Sequence, residues 1–426
     1  MRKIFKRVIT DFIEKDLKNI RPRDINIPLN SQKIISLIGV RRGGKTYILY
    51  DLINKLRKII PRENIVYINF EDDRLFDIEL KDLDDLLNGY FELYPDKKDE
   101  KIYLFLDEIQ EVKDWEKFVR RVYDTLDVQI FITGSSSKLL SKEIATSLRG
   151  RTISFDIFPL SFKEYLDFKD IKINLYSTKS LNFIRHHFNN YLIEGGFIEV
   201  VLEEDETLKR KILQDYLDLI IYRDLVERYG VKNLTLLKFM IKYLFSNPAT
   251  LFSFNKFYNE LKSNGFKLSK DTIIEYYSYL EDANTIFRVP IFRNNIKEEI
   301  RNPIKSYIID NGFYSIYDSS ISPNYSKLFE NLVFLHLRRE FKEIHYYKIK
   351  QETDFYANGN LINVSYEIDS KKTVDRELKS LIESMEYFKK YKATLITSNQ
   401  EDTIKIENKK IEIVPLYKWL LEKQAI

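Results

Sequence analysis

Residues 34–60 read IISLIGVRRGGKTYILYDLINKLRKII, and the order of their three parts decides the fold. The run 34–38 is apolar apart from Ser36, as a buried strand is. Gly39, Val40, Arg41, Arg42, Gly43, Gly44, Lys45 and Thr46 then fill G-x-x-x-x-G-K-[ST] with no position missing. Beyond Tyr47, the residues Ile48, Leu49, Leu52, Ile53, Leu56 and Ile60 fall on one helical face, and Pro61 ends the pattern. Strand, glycine-containing loop and helix come in the order that builds a phosphate site. Backbone N–H groups of such a loop, at a helix N-terminus, form a concave anion cradle. Residues 39–47 are therefore the candidate nucleotide-binding stretch. Lys45 adds a cation for the outer phosphates, and the Thr46 hydroxyl is a ligand for Mg²⁺.

Around this stretch, apolar runs at 33–38, 65–70, 102–107, 129–133 and 152–157 alternate with helical patterns near 47–60, 78–91, 114–126 and 136–147. The alternation predicts an α/β domain over 31–160, a parallel sheet with helices on both faces. The run IYLFLD at 102–107 ends in Asp107 and is followed by Glu108. A strand ending there sets Asp107 at the sheet edge to hold Mg²⁺, with Glu108 placed to polarise the attacking water. The run IFITGSSS at 130–137 ends in small hydroxylated residues, of which Thr133 or Ser135 is the candidate sensor of the γ-phosphate. In LRGR at 148–151, Arg149 and Arg151 are candidates to stabilise transition-state charge, in cis or from a neighbouring subunit. Asn69, ending the second run, is placed to hydrogen-bond Glu108 and hold it idle.

GVRRGGKT, LFLDEIQ, ITGSSS and LRGR together resemble the core of an archaeal and bacterial P-loop ATPase family of the AAA+/STAND type. Its members join a P-loop domain to a winged helix and a C-terminal nuclease-like domain. The resemblance implies ATP as the nucleotide. It implies a sheet in which the sensor strand lies between the phosphate-loop strand and the Asp-Glu strand. Asp107-Glu108 matches the family's Walker B pair, and Arg149 and Arg151 match its Gly-Arg motif.

The chain of 426 residues is long enough for two to four domains, and its 44% hydrophobic and 31% charged content is that of a globular protein. With no cysteine, disulfides and thiolate metal sites are excluded, and the four histidines lack metal-ligand spacing. A net charge of +4 neither demands nor excludes nucleic acid. No apolar run reaches the roughly 18 residues of a membrane span. The basic N-terminus lacks the apolar core of a signal peptide, so no membrane partner and a cytoplasmic location are expected.

The remaining segments divide as follows. Residues 1–30 form an N-terminal arm, an amphipathic helix followed by RPRDINIPLN. Residues 161–235 read as a helical segment, with a Gly195-Gly196-Phe turn that the family also carries and an apolar helix holding Arg223 and Asp224. Residues 236–300 have winged-helix character: three helices, the third near 270–283, and IFRVPIFRNN as a hairpin. Lys262, Lys267, Lys270 and Arg288 give that segment a basic edge. With exposed Tyr276, Tyr277 and Tyr279 it suits contact with DNA phosphates without base reading; the alternative is packing between domains. Residues 301–426 resemble the PD-(D/E)xK nuclease fold, in which a helix Glu, a strand Asp and an E/Q-x-K strand build a metal site. Glu330 and Asp354 match it. Asn363 and Ser365 stand where E/Q and K are expected, so the fold is kept while the lysine is missing, with Lys348, Lys350 or Lys371 as possible replacements.

These readings converge on an α/β P-loop AAA+ domain, a helical and winged-helix region and a small nuclease-like α/β domain. The expected function is Mg²⁺-dependent ATP hydrolysis by a homo-oligomer, coupled to binding or remodelling of DNA. The alternatives are a STAND-like nucleotide switch, which DNA does not accelerate, and an ATP-gated nuclease.

Overall fold

In a computed structural model, strand β1 (Ile34–Gly39), β2 (Ile65–Asn69), β3 (Ile102–Asp107), β4 (Val128–Gly134) and β5 (Thr152–Ile157) form one sheet, all pairs parallel, in the order β2-β3-β4-β1-β5. The structure describes residues 1–135, 148–318, 323–368 and 370–422. The helix expected at 136–147 lies outside the described residues. By internal contacts the chain divides into two compact units, 1–157 with 282–284, and 158–281 with 285–426.

The first unit follows from strands buried on both faces. Every residue of β1 and β3 is buried, as a parallel sheet covered twice requires. Alternate residues serve opposite layers. Ile34, Ile38, Val66, Ile68, Leu104, Leu106, Ile130 and Ile132 pack with α1 (Arg2–Glu14), α3 (Leu83–Leu93) and α4 (Trp115–Thr125). Ile35, Leu37, Tyr67, Phe105 and Phe131 pack on α2 (Lys45–Leu56), through Ile48, Leu49, Leu52, Ile53 and Leu56. Helix α1 is part of this core: Phe5, Val8 and Ile9 are buried in it. Helix α2 stops at Leu56, a turn before the residue 60 expected from Pro61. β4 lies between β3 and β1, the order the family resemblance implies.

The second unit begins with helices. Between Thr178–Glu194 and Ile198–Leu202 the chain turns on Gly195 (φ 80°) and Gly196. A Cβ at Gly195 would lie 1.6 Å from Asp310 Oδ1, and one at Gly196 2.3 Å from the Leu160 carbonyl oxygen. Buried Asp310 accepts from Gly196 N–H at 2.7 Å and from Gly312 N–H at 2.8 Å. Burial pushes its carboxyl up to about 7 in spite of those donors. The apolar helix after it turns to π geometry over Ile220–Glu227. There Asp224 is buried 3.6 Å from Arg228, whereas Arg223 is exposed.

Helices Leu234–Phe245, Phe254–Ser263 and Lys270–Asp282 surround a three-stranded antiparallel sheet in the order β6-β8-β7, from β6 (Thr250–Phe252), β7 (Ile286–Val289) and β8 (Ile304–Ile308). The expected hairpin within IFRVPIFRNN does not form. β7 pairs instead with β8, past residue 300, because Pro290 lacks the N–H that would carry the ladder on. The last sheet has six strands, β13-β14-β12-β11-β10-β9. β9 (Ile344–Lys348), β10 (Glu352–Ala357) and β11 (Asn360–Val364) run antiparallel; β12 (Lys392–Thr397) and β14 (Lys409–Pro415) run parallel to β11, and β13 (Asp402–Ile406) antiparallel at the edge. Helices Tyr325–Glu340 and Lys371–Tyr387 pack on it.

Candidate functional site

The loop between β1 and α2 is shaped by close approach. A Cβ at Gly39 would fall 2.1 Å from the Ile157 carbonyl oxygen, so β1 ends where only glycine fits beside β5. Gly44 takes φ 94° as α2 begins, a left-handed turn that glycine adopts without strain. Lys45 is buried, and its Nζ donates to the carbonyls of Gly39 (3.0 Å) and Val40 (3.2 Å). Arg41 is buried against Glu71 at 2.5 Å, and Arg42 and Tyr47 are exposed at the loop rim. Arg23, from the N-terminal arm, donates to the Gly43 carbonyl at 3.0 Å.

Because β1, β4 and β3 are adjacent and parallel, their C-terminal ends place the remaining groups beside the loop. Asp107 is fully buried. Its Oδ2 accepts from Thr46 Oγ1 (2.8 Å) and Tyr67 O–H (2.7 Å), and its Oδ1 from Thr133 Oγ1. Burial, then the neighbouring Glu108 charge, raises the Asp107 carboxyl above its ordinary range. Glu108 follows with φ 54°, uncommon for a residue with a side chain, and its N–H donates to Thr133 Oγ1 at 2.9 Å. Its Oε1 lies 3.4 Å from Lys45 Nζ, and Gln110 Nε2 donates to its Oε2 at 2.6 Å. Burial opposes ionisation of Glu108, but Lys45, Gln110 and Arg41 outweigh it and hold the carboxyl below its usual range. Of the two sensor candidates, Thr133 bonds both acids, while Ser135 is buried beyond the end of β4. Asn69 does not reach Glu108: its Oδ1 takes the Glu71 N–H at 2.9 Å, turned back by the tight bend after β2. Arg151 pairs with Asp124 at 3.0 Å, and Arg149 is exposed.

The second unit holds a cluster that sequence reading found only in part. Lys305 of β8 is 3% exposed and lies 2.8 Å from Glu330, 2.9 Å from Glu352 and 2.8 Å from Asp354. Tyr307, two residues on and on the same face, donates to Glu330 at 2.7 Å. Burial, against the pull of Lys305, raises Glu330 to about 7, whereas Glu352 stays below its usual range, its burial outweighed by Lys305 and Lys348. Asn363 is buried and donates to Glu377 at 2.7 Å, and its Oδ1 accepts from Asp354 N–H at 3.3 Å; the Ser365 hydroxyl donates to the Glu367 carbonyl. Lys305 of β8 is the buried lysine among these acids; Lys348, exposed, reaches Glu352 at 3.4 Å, and Lys350 and Lys371 are exposed. The one signal for Lys305 was a lone lysine inside the apolar run 304–309, which also suits an edge strand. Among the described residues, no group of three or more His, Asp or Glu side chains is arranged to hold a metal ion.

The basic edge is also altered. Lys262, Lys267 and Lys270 are exposed as expected, but Arg288 is bound to Glu281 through two hydrogen bonds of 2.7 and 2.6 Å. Tyr276 and Tyr277 are buried, and Tyr279 stacks on Tyr229 with ring centres 3.9 Å apart. The helical face that the tyrosines mark is the inner one. Among the described residues no helix is long and apolar enough to cross a membrane.

Comparison with known proteins places these features. An AAA domain model matches residues 31–166, and a domain of unknown function (DUF8612) matches 185–321. An uncharacterized protein of Methanocaldococcus jannaschii is 42% identical, the match covering 98% of this chain and 95% of that one. One from Haemophilus influenzae is 33% identical over 92% and 94%. Among solved structures, DNA-bound Aeropyrum pernix ORC1 aligns over 68% of this chain and 87% of its own, at 11% identity and a TM-score of 0.30. AMPPCP-bound Aquifex aeolicus DnaA aligns over 64% and 86%, at 14% and 0.25. Likenesses that distant bear on nothing further. The chain belongs to the family it shares with these two uncharacterized proteins, and its residues 31–166 are an AAA domain of the P-loop ATPase type.

Proposed function

We propose that the protein hydrolyses ATP with Mg²⁺ and couples that turnover to DNA. The observation that carries the reading is the junction of the complete phosphate loop with Asp107 and Glu108: Thr46 and Asp107 oxygens 2.8 Å apart, and Lys45 within 3.4 Å of Glu108. Two hard oxygen donors side by side fit Mg²⁺, which would supply charge neutralisation at the phosphates. Thr46 and Asp107 would be its protein ligands. Lys45 now caps two loop carbonyls and moves to the phosphates when they arrive, leaving Glu108 to take up the water. Thr133 fixes the backbone of Glu108 and the carboxyl of Asp107 together. Since Arg151 is engaged by Asp124, Arg149 is the better candidate to reach a neighbouring subunit's nucleotide; mixing Arg149→Ala with Lys45→Ala protein should then restore turnover that neither has alone.

The DNA reading rests on the element order of 234–308, helix, strand, two helices, then two antiparallel strands with the short helix Ile296–Arg301 between them, which resembles that of a winged helix, and on the exposed lysines beside it. The C-terminal domain is read as non-cleaving, because its acids converge on Lys305. The test is ATP turnover by the full chain. Lys45→Ala should abolish it, and Glu108→Gln should keep nucleotide binding while losing on the order of 10³-fold in rate. Wild-type turnover in Lys45→Ala would remove the phosphate-loop assignment. Turnover unaffected by DNA would favour the nucleotide-switch alternative.

A further inference from the structure

Gln110, two residues beyond Glu108, so far enters the site only as a donor to the Glu108 carboxylate. Residues Ile109–Glu111 form a single 3₁₀ turn, closed by Glu111 N–H on the Glu108 carbonyl at 3.2 Å. That turn, entered through the left-handed conformation of Glu108, folds Gln110 back over the Glu108 carboxylate. The Gln110 amide is then used unequally. Its Nε2 donates to Glu108 Oε2 at 2.6 Å. Its Oε1 is shielded from solvent and has no hydrogen-bond partner. The orientation is fixed by chemistry, since reversing the amide would press its oxygen on a carboxylate oxygen at that distance. Nearly all buried polar atoms in folded proteins are partnered, so an orphaned acceptor beside a candidate general base marks a place for a donor absent from the chain itself. Water, with two O–H groups, is the donor that a carboxylate and a neighbouring amide oxygen can share.

We infer that Gln110 positions the attacking water, accepting one of its O–H groups on Oε1 while Nε2 holds Glu108 to accept the other. The inference rests on the ATPase reading of the site. In the step it serves, the water oxygen forms a bond to the γ-phosphorus. The bond from that phosphorus to the bridging oxygen breaks, and its electron pair leaves on ADP. One water proton passes to Glu108, giving ADP and inorganic phosphate. Glu108 is faced by Lys45 from α2, Arg41 from the phosphate loop and Asp107 from β3, and Gln110 is the uncharged side chain that donates to its carboxylate.

The experiment compares wild type, Gln110→Leu, Gln110→Glu and Lys45→Ala in the full chain, measuring kcat, KM and affinity for a fluorescent ATP analogue. Gln110→Leu keeps the volume and removes both polar atoms. It should lower kcat on the order of 10²-fold with KM and nucleotide affinity within about twofold. Gln110→Glu keeps an acceptor but lacks the N–H, and should also be slow. Unchanged kcat in both variants overturns the inference, and so does faster turnover, which would make Gln110 a latch. Parallel loss of nucleotide affinity and rate in both overturns it in favour of a purely structural role. If wild type does not exceed the Lys45→Ala background, the ATPase reading itself fails. If it does and Gln110→Leu matches wild type, only the role of Gln110 fails.

Discussion

Replacing Lys305 by Met keeps the length of the side chain and removes its charge from a site where three carboxylates have no other cation of comparable burial. Its Nζ lies within 2.9 Å of Glu330, Glu352 and Asp354, and the side chain is 3% exposed. Wild type holds three acids against one buried ammonium, with the exposed Lys348 3.4 Å from Glu352; the variant keeps the exposed cation and loses the buried one. Removing one member of a buried ion cluster costs about 3–5 kcal/mol, most of it the desolvation of what is left behind. The size should depend on pH. Burial already raises Glu330 to about 7, and losing Lys305 raises it further. A carboxyl raised by folding contributes stability below its unfolded value, near 4.5, and loses it as pH rises through the folded value. The variant should therefore be closest to wild type near pH 6, where Glu330 takes a proton, and fall behind by at least about 1 kcal/mol more at pH 8.5. The other ionisable groups facing Glu330 and its neighbours are Tyr307, Lys348 at the Glu352 end, and Glu377. Of the two tryptophans, Trp115 lies in the first unit and Trp419 in the second, both buried. A Trp115→Phe background thus leaves a fluorescence signal specific to the second unit. With a urea slope of about 2–3 kcal/mol per M, its midpoint should drop by about 1–2 M at pH 8.5. A drop equal at both pH values, or below about 0.3 M at pH 8.5, would refute the account of Lys305 as the counter-charge of the cluster.

Gly195→Ala should lower the melting temperature of the second unit by about 5 °C or more, since its Cβ would meet Asp310 1.6 Å away at a positive φ; a change under about 1 °C would mean the turn relaxes freely. Neutralising Lys262, Lys267 and Lys270 together should weaken DNA binding and flatten its dependence on salt by up to about three counter-ions; an unchanged slope would return them to ordinary solvated surface. Incubation of single-stranded, duplex or branched DNA with Mg²⁺ or Mn²⁺ should give no cleavage above that of Asp354→Ala, and cleavage lost in that variant would make the domain an active nuclease.

The parts legible in the sequence are those where chemistry demands a residue type at a fixed chain spacing. Gly39 and Gly44 answer to a carbonyl contact and a left-handed turn, and Lys45, Thr46 and Asp107 to groups brought together by adjacent parallel strands. The sheet was legible for a related reason: apolar runs in β1 and β3 have no polar face to confuse. Lys305 and Glu377 escaped because their partners are set by tertiary packing across tens of residues, and neither carries a local pattern. Tyr276 and Tyr277 were misjudged because an amphipathic helix rich in both Tyr and Lys does not declare which face is inner. Asn69 ends the strand beside β3 and was expected to hold Glu108, but the amide that does so is Gln110, brought round by the 3₁₀ turn after β3, and no residue pattern announces such a turn.

Strand β8 is hydrogen-bonded to β6 and β7 on its two edges, yet its side chains Lys305 and Tyr307 close the acid cluster of the following domain. One five-residue strand is thereby common property of two modules that the sequence reading separates near residue 300. A cut at that seam would orphan a sheet on one side and a set of carboxylates on the other, so a graft of either module onto another scaffold has to carry the strand and both its clients.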